Sequence, residues 1–350
     1  MTMIASTRRM TLGLDVSDRF TSYCLLDETG EVLEEGRLRS NQAAIRQRFD
    51  GPACRVVIEA GTHSPWLSRL LTDAGHEVVV ANPRRVQLIA QSTRKNDRTD
   101  AETLARLGRI DPKLLSPIKH RSAEAQADLA IIRARSSLVA ARTLLINHVR
   151  GAVKSLGERL PACDAHSFHR RARDFLPESV VVALTPLVDT IGKLTEQIRE
   201  LDGRLSELVA IRYPEARLLQ QVPGVGQLIS LAYILTIGDP GRFKTSREVG
   251  PYLGLVPRQR ESGDSAPEMR ISKAGDRYLR LLLVQGAHYV LGYRGPDSDL
   301  RRWGLEKAAG GKRAKKRAVV AVARKLAILL HRLWVTGEVY SPLQVPPVAA

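Results

Sequence analysis

The sequence predicts a mixed α/β domain followed by a mainly helical remainder, and three observations carry this expectation. Short β-branched and apolar runs alternate with helical periodicity in the first third of the chain. In the middle of the chain, apolar residues recur at helical spacing. The chain has 350 residues, of which 43% are hydrophobic, so it can bury a core in more than one domain.

Five strands and four helices are predicted in the first part of the chain. The strands are expected at 10–16, 20–27, 31–38, 54–60 and 77–81, and the helices at 41–49, 63–74, 84–92 and 99–109. The turn Glu28-Thr29-Gly30 joins two of the strands as a hairpin. Three early strands in hairpin order, followed by alternating helix and strand, predict a mixed sheet flanked by helices. That order matches the ribonuclease H-like fold.

The middle of the chain carries a heptad seam, because apolar residues there alternate spacings of three and four. The seam consists of Leu184, Leu187, Ile191, Leu194, Ile198, Leu201, Leu205 and Leu208. It requires a partner helix, which is either another subunit or the preceding amphipathic stretch 124–156, folded back through the loop around Pro161 and Pro177. An intermolecular coiled coil and an ordinary bundle helix are both open.

The segment Gln221-Val222-Pro223-Gly224-Val225-Gly226, followed by an apolar helix over 228–237, resembles the turn of a helix-hairpin-helix. In such a turn the exposed amides of Gly224 and Gly226 contact phosphates at a helix N-terminus. The alternative is that these glycines only end one helix and begin the next. We expect three regions, with a ribonuclease H-like domain over 1–120, a helical or coiled-coil region over 121–215 and a mainly helical domain over 216–350.

The charge of the chain indicates a polyanionic partner. Lys and Arg number 54 against 37 acidic residues, so the net charge is +17 and the pI is near 10.2. Between residues 301 and 325 the single acid is Glu306, and the ten basic residues are Arg301, Arg302, Lys307, Lys312, Arg313, Lys315, Lys316, Arg317, Arg324 and Lys325. This segment is a phosphate-binding surface or a solvated helix face, and the chain-wide excess favours phosphate contact.

The cysteines and the N-terminus indicate a cytoplasmic protein. Cys24, Cys54 and Cys163 lie far apart without paired spacing, so they predict neither a disulfide framework nor a zinc site. A reducing compartment fits this pattern. Residues 1–9 lack the apolar core of a signal peptide, and no stretch reaches membrane-spanning length without charge. We expect no membrane partner.

Four carboxylates in the first third of the chain are candidate metal ligands. Asp15 and Glu59 each follow an apolar run near the end of a predicted strand, whereas Asp97 and Asp100 lie three residues apart at the start of a helical stretch and can point along one face. Hard cations such as Mg²⁺ or Mn²⁺ prefer oxygen ligands held on a rigid frame. The pattern therefore predicts a two-metal site. The alternative for the helical pair is that both acids merely cap the helix.

Two further blocks, 254–263 and 271–280, are the most specific in the chain. With them the sequence resembles the insertion-sequence one-ten family of transposases, which are serine-dependent recombinases guided by a bridge RNA. The resemblance covers nearly the whole chain, through Gly-Leu-Asp at 13–15, Ile-Glu-Ala at 58–60, Asn-Asp-x-x-Asp-Ala at 96–101, Pro-Gly-Val-Gly at 223–226 and both blocks. The family usually has Thr where this chain has Asn96, a position that is not a metal ligand.

The resemblance implies a set of roles. Asp15, Glu59, Asp97 and Asp100 match the Asp-Glu-Asp-Asp tetrad of a RuvC-like domain, and Ser262 matches the serine of an Arg-x-x-x-Ser-Gly motif in a transposase domain over 216–350. In such proteins this serine attacks a DNA phosphodiester and forms a phosphoserine link, and strands are then exchanged between donor and target DNA. A structured bridge RNA, a homodimer or homotetramer and association with the bacterial nucleoid follow from the same resemblance.

The chemistry is consistent with these roles. A serine hydroxyl is a poor nucleophile until a base or a metal activates it, and carboxylates that hold Mg²⁺ could supply this activation. Local sequence alone would make Ser262 a turn residue, no better a candidate than Ser230, Ser265 or Ser272. The expected nucleic-acid contacts are Arg258, Arg260, Lys273, Arg277, Arg280, Gly224, Gly226, Lys315, Lys316 and Arg317.

Three other functions account for part of the sequence. An actin-like sugar or acetate kinase also begins with an Asp after a glycine in its first strand, but the Gly-rich phosphate loops it needs are not found in strand context here. A non-catalytic nucleic-acid-binding protein explains the charge but not the four placed acids. A RuvC-like nuclease or junction resolvase that uses water would need the acids but not Ser262.

Overall fold

A computed structural model of the protein describes residues 10–83, 86, 96–259 and 269–343. The chain divides into two compact units, 1–123 and 124–350. The helical middle region and the C-terminal domain expected from the sequence both lie in the second unit, and the boundary between them stays a prediction. The helix expected at 84–92 lies outside the described residues apart from Val86.

The first unit contains a five-stranded mixed sheet. Its strands are β1 (Thr11–Val16), β2 (Phe20–Leu26), β3 (Val32–Arg39), β4 (Arg55–Glu59) and β5 (Glu77–Ala81). Their order is β3-β2-β1-β4-β5; the pairs β3–β2 and β2–β1 are antiparallel, and the pairs β1–β4 and β4–β5 are parallel. The predicted mixed sheet is confirmed, and each strand end lies within one residue of its expected place.

Helices cover both faces of this sheet, which explains why successive residues of its central strands are buried on both faces. The helices are α1 (Gln42–Phe49), α2 (Ser64–Asp73) and α3 (Asp97–Ile110). On one face, Leu14 and Ile58 pack in a cluster with residues of α1 and α2. On the other face, Val57 packs with Leu104 of α3. Thr11 to Leu14 are consequently all buried.

Two long helices begin the second unit, α4 (Ala123–Ser155) and α6 (Glu178–Ile211), with the short helix α5 (Phe168–Arg173) between them. The heptad seam on α6 packs against α4 of the same chain. Leu205 shares a cluster with Leu129, and Leu184 shares another with Val149. The seam residues at 184, 191, 198 and 205 are buried, whereas those at 187, 194, 201 and 208 are half-buried. The folded-back partner is therefore the alternative that the structure adopts, and assembly through this helix stays a prediction.

The rest of the second unit is helical around one central segment. Its helices are α7 (Ala216–Leu219), α8 (Gln227–Ile237), α9 (Val249–Tyr252), α10 (Arg277–Leu291), α11 (Asp299–Ala308) and α12 (Lys312–Thr336). Every residue from Ile229 to Ile237 in α8 is buried, so this helix forms the centre of the largest apolar cluster. The hydroxyl of Tyr233 donates to the carbonyl oxygen of Ala327 at 2.7 Å, which satisfies a polar group in this core. None of the described helices is long and apolar enough to cross a membrane.

Candidate metal centre and nucleic-acid interface

Asp15 and Glu59 lie at the same edge of the sheet. The parallel strands β1 and β4 pair up to Leu14 and Ile58, and the two acids follow these residues directly. Parallel strands that end together present their last side chains side by side. Both carboxylates belong to half-buried residues. The structure thus places two of the four predicted ligands on neighbouring strands.

Two glycines allow α3 to lie directly on the sheet. A Cβ atom at Gly13 would lie 2.6 Å from the backbone nitrogen of Ala105 and would overlap the carbonyl oxygen of Ala101. A Cβ atom at Gly108 would overlap the side chain of Val57. A side chain at either position would force α3 away from the strands, so glycine is needed for this close approach. The guanidinium of Arg55 also donates to the Gly108 carbonyl at 3.1 Å.

The start of α3 is capped by Asn96 rather than by the acids that follow it. The Asn96 side chain accepts a hydrogen bond from the backbone N–H of Arg98 at 3.2 Å, and its carbonyl accepts from the N–H of Asp100 at 3.0 Å. Asp97 and Asp100 lie in the first turn, where the helix dipole favours negative charge. The N-cap role that the alternative gave to these acids is thus performed by Asn96.

The electrostatics of Asp15 connect all four carboxylates. The pKa of Asp15 is raised from 3.8 to about 6, chiefly by burial and then by the charges of Asp97, Asp100 and Glu59, in that order. A hydrogen bond from the backbone N–H of Val16 acts in the opposite direction. The four predicted ligands therefore share one electrostatic environment, in which a negative charge on Asp15 is disfavoured.

This environment fits a divalent cation in its donor type and its charge. Four carboxylates offer the hard oxygens that Mg²⁺ and Mn²⁺ take, and a cation would remove the repulsion among them. Among the described residues, no group of three or more His, Cys, Asp and Glu side chains is arranged to hold a metal ion. The acids are thus electrostatically coupled without forming a finished coordination shell, and the ligand set stays a prediction.

A chain of hydrogen bonds joins the segments that follow Asp15 and Glu59. The indole N–H of Trp66 donates to Nδ1 of His63 at 3.1 Å. Because an indole nitrogen can only donate, His63 carries its proton on Nε2 and donates it to the carboxylate of Asp18 at 3.0 Å. Sequence reasoning missed this link, although a histidine four residues after a strand-end glutamate was a usable signal.

The blocks 254–263 and 271–280 are joined by a short antiparallel pairing. Pro257 forms a bridge with Ile271, and the N–H of Arg258 donates to the Arg270 carbonyl at 3.0 Å. The predicted nucleophile Ser262 and the predicted phosphate contact Arg260 lie outside the described residues. Both therefore stay predictions from the sequence.

The second block turns sharply before α10. Lys273 has a φ of 55° and Gly275 a φ of 70°, both in the left-handed region. A Cβ atom at Gly254 would overlap the backbone of Ala274, so the two blocks touch through their main chains. Among the predicted phosphate contacts in this region, Arg258, Lys273 and Arg277 are exposed.

Arg280 has a structural role that sequence reasoning did not foresee. Its Nη1 donates to the carbonyl oxygens of Leu253 at 3.0 Å and Ala274 at 2.5 Å. These bonds tie the first block to the second, so this nitrogen is engaged within the protein. Contact between Arg280 and a phosphate stays a prediction.

The basic residues of the segment 301–325 include two groups, of which one makes contacts within the protein and the other is exposed. In the first, Arg301 donates to the carbonyls of Val290 and Gly292 at 2.5 Å each, and Lys325 lies 3.7 Å from the centre of the Trp303 ring. The second group consists of exposed residues in the first turns of α12, which are Lys312, Arg313, Lys315, Lys316 and Arg317. The predicted contacts Lys315, Lys316 and Arg317 thus lie on one exposed helical segment.

The predicted helix-hairpin-helix turn lies between α7 and α8. Gly224 has a φ of 83°, and a Cβ atom there would approach the carbonyl of Gly286 to 2.8 Å. Gly226 is the N-cap residue of α8. Both glycines therefore have structural reasons for their presence, as the alternative proposed, and phosphate contact through their amides stays a prediction.

Two families of known proteins match this chain, one in its N-terminal half and one in its C-terminal half. Residues 216–300 match the family described as Transposase IS116/IS110/IS902, and residues 12–157 match a transposase family of the DEDD type from IS110 elements. The DEDD-type match indicates a ribonuclease H-like fold and a requirement for a divalent metal.

Full-length relatives agree with the family matches. The chain is 30% identical to a transposase for insertion sequence element IS1111A of Coxiella burnetii, over 94% of this chain and 90% of that protein. It is 31% identical to a probable family 20 transposase of Pseudomonas aeruginosa, over 95% and 98%. It is also 27% identical to a pilin gene-inverting protein of Moraxella bovis, over 81% and 80%. The chain belongs to the IS116/IS110/IS902 family and is a DNA transposase.

Proposed function

We propose that this transposase cuts and rejoins donor and target DNA through a phosphoserine intermediate at Ser262, with Mg²⁺ held by Asp15, Glu59, Asp97 and Asp100. The observation that carries the proposal is the pKa of Asp15, which burial and the other three carboxylates raise to about 6. Charges that repel one another on a rigid sheet edge favour a cation over an empty site.

The proposed reaction conserves the energy of the phosphodiester bond. The Ser262 hydroxyl loses its proton to a base and attacks the phosphorus, and the bond from phosphorus to one deoxyribose oxygen breaks. The released strand ends in a hydroxyl group, which takes up a proton. A hydroxyl of the second DNA partner then attacks the phosphoserine, which restores the serine and joins the new strand.

The remaining residues have supporting roles in this scheme. Bound Mg²⁺ would supply a Lewis acid that stabilises charge on a phosphoryl oxygen. Arg258, Lys273 and Arg277 would bind the DNA backbone around the scissile phosphate, since their side chains are exposed near the pairing that joins the two blocks. Arg260 would assist them.

The proposal includes a guide RNA and an oligomer. A structured bridge RNA, expected to be encoded outside the gene, would read the DNA target by base pairing, whereas the protein would read RNA shape and backbone. The exposed basic side chains of Lys315, Lys316 and Arg317 are the proposed phosphate contacts. Because donor and target are two DNA partners, a dimer or tetramer would supply the cleavage units in pairs.

Rejoining rather than hydrolysis is supported by a relative's name. The protein of Moraxella bovis is called a pilin gene-inverting protein, and inversion of a gene requires both breakage and rejoining of DNA. A hydrolysing nuclease would use the same carboxylates and water, without Ser262.

The experiment that tests the proposal is covalent trapping. A suicide DNA substrate, which loses its leaving strand after cleavage, should become attached to the wild-type protein, and peptide mapping should place the adduct at Ser262. Ser262→Ala should still bind Mg²⁺ and nucleic acid, since it loses one hydroxyl and no charge. A Ser262→Ala protein that cleaves DNA at the wild-type rate would instead establish water as the nucleophile.

The carboxylates are tested in the same assay. Asp15→Asn and Asp100→Asn should abolish strand cleavage while DNA binding remains. Asp73→Asn is the matched control, because Asp73 is an exposed carboxylate at the end of α2 and should leave cleavage unchanged. Cleavage in Mg²⁺ that survives either of the first two changes contradicts the metal assignment.

A further inference from the structure

A groove of about 480 Å³ lies in the second unit beside the turn between α7 and α8. Its lining includes Gln220, Gln221, Gly224, Gly226, Gln285 and Tyr289, and all the residues that line it are uncharged. The groove therefore combines amide side chains, glycine backbone and one aromatic ring with the apolar residues Val222, Pro223, Val225 and Ile229. Its volume falls within the range of small-molecule sites, which is about 300–1,000 Å³.

The aromatic ring of Tyr289 contacts the protein on one side and is exposed to solvent on another. Tyr289 lies against Gly224, whose hypothetical Cβ atom would come within 3.2 Å of the ring. The tyrosine is nevertheless 46% exposed, although it lies on a helix whose inner face is part of the largest core cluster. A large, half-exposed aromatic side chain supported by glycine backbone is a surface on which a flat ring can stack.

The lining of the groove is neutral, and the helix that carries Tyr289 adds no negative charge to it. The helix α10 contains no acidic residue, and its exposed residues include Arg277, Gln285 and His288. Just beyond the helix, the guanidinium of Arg294 lies 5.2 Å from the centre of the Tyr293 ring. A polyanion is attracted to such a helix, whereas the groove itself offers no cation for a phosphate.

This combination fits a nucleobase. Bases stack on aromatic rings, and glutamine side chains donate to and accept from base edges. A base inside a duplex already stacks on both faces, so only an unpaired base can enter. We propose that the groove between the 223–226 turn and α10 binds one unpaired base of DNA, stacked on Tyr289 and contacted at its edge by Gln285. The choice of DNA rests on the proposed function, in which DNA strands are opened and exchanged.

The proposal is tested with the full-length protein and two hairpin DNAs. One hairpin carries a single unpaired 2-aminopurine, whose fluorescence falls on stacking, and the other has the same base paired. Wild-type protein should quench the unpaired probe, and Tyr289→Ala should weaken its binding by about 5- to 150-fold, the range for loss of one stacked base. Tyr289→Phe should bind within about 3-fold of wild type, because the ring is kept.

Tyr293 supplies the matched control, since it is the same residue type, is 86% exposed and does not line the groove. Tyr293→Ala should leave binding of the unpaired probe within about 2-fold of wild type. The salt dependence of binding should be equal in all variants, because no phosphate contact is removed. A second measurement does not depend on whether the variant folds. In the wild-type protein, 5-iodouracil at the unpaired position should crosslink to Tyr289.

Several results would overturn the proposal. They are an unchanged affinity of Tyr289→Ala, an equal loss on paired and unpaired DNA, an equal loss in Tyr293→Ala, and a crosslink elsewhere. A larger loss with the matching RNA hairpin would transfer the site to RNA and refute the DNA assignment. Failure of the serine mechanism would be seen separately, as the absence of a Ser262 adduct from a protein that still quenches the probe.

Discussion

Replacing Asp15 by Asn should stabilise the metal-free protein while abolishing its cleavage activity. The pKa of Asp15 is raised from 3.8 to about 6 in the folded state, so the folded protein holds this proton more tightly than the unfolded chain. Stability is therefore lost as pH rises from about 4 through 6. Two pKa units correspond to about 3 kcal/mol, and because Asp15 is half-buried, solvent screening reduces its cost to the folded state at pH 7 to about 1–3 kcal/mol.

The assay is urea unfolding of wild type and Asp15→Asn at pH 4 and pH 7, without divalent metal and then with added Mg²⁺. The variant should be more stable by up to about 3 kcal/mol at pH 7, whereas at pH 4 the difference should nearly vanish. Mg²⁺ should stabilise wild type more than the variant, since a ligand stabilises the state that binds it.

The control is Asp73→Asn, which removes one exposed negative charge from the same unit and should change stability by less than about 0.5 kcal/mol. The reasoning would be refuted by an Asp15→Asn protein that is no more stable than wild type at pH 7 without metal. An equal gain at pH 4 would also refute it, since it would show that packing rather than charge is responsible.

Three further predictions concern packing and phosphate contact. Gly13→Ala should destabilise the protein by roughly 1–3 kcal/mol in chemical unfolding, because its Cβ would overlap α3, whereas Gly51→Ala, which meets no atom within 4 Å, should change stability by less than about 0.5 kcal/mol. Leu205→Ala should lower the free energy of unfolding by about 2–5 kcal/mol, because this seam residue is only 2% exposed. Leu144→Ala on the outer side of α4 should lower it little, because Leu144 is 70% exposed. Equal losses of stability in the two variants would contradict the observed pairing of the two helices. Changing Lys315, Lys316 and Arg317 together to Ala should flatten the dependence of the nucleic-acid dissociation constant on salt, and an unchanged slope would leave them as a solvated helix face.

The strands and the positions of the four acids could be predicted from the sequence, because both are local properties. A run such as Thr11 to Leu14 is buried on both faces and therefore consists of apolar or small residues, which makes it visible as a strand. Asp15 near the end of β1 and Glu59 at the end of β4 interrupt such runs, which makes both acids visible in the sequence. Asn96, by contrast, departs from the family pattern in sequence, and its role as the helix cap is shown by its hydrogen bond with the backbone of Arg98.

The sequence by itself determined the mixed sheet, the family and the acids at the sheet edge, since periodicity, motif order and charge are carried along the chain. Only the tertiary structure decided that α4 of the same chain covers the heptad seam, because an apolar stripe specifies that it must be buried but not against which helix. The contact of α3 with Gly13 and the groove between Gly224 and Tyr289 depend on residues that are far apart in sequence. In each case the residues come together through the packing of the unit to which they belong, which no local sequence pattern encodes.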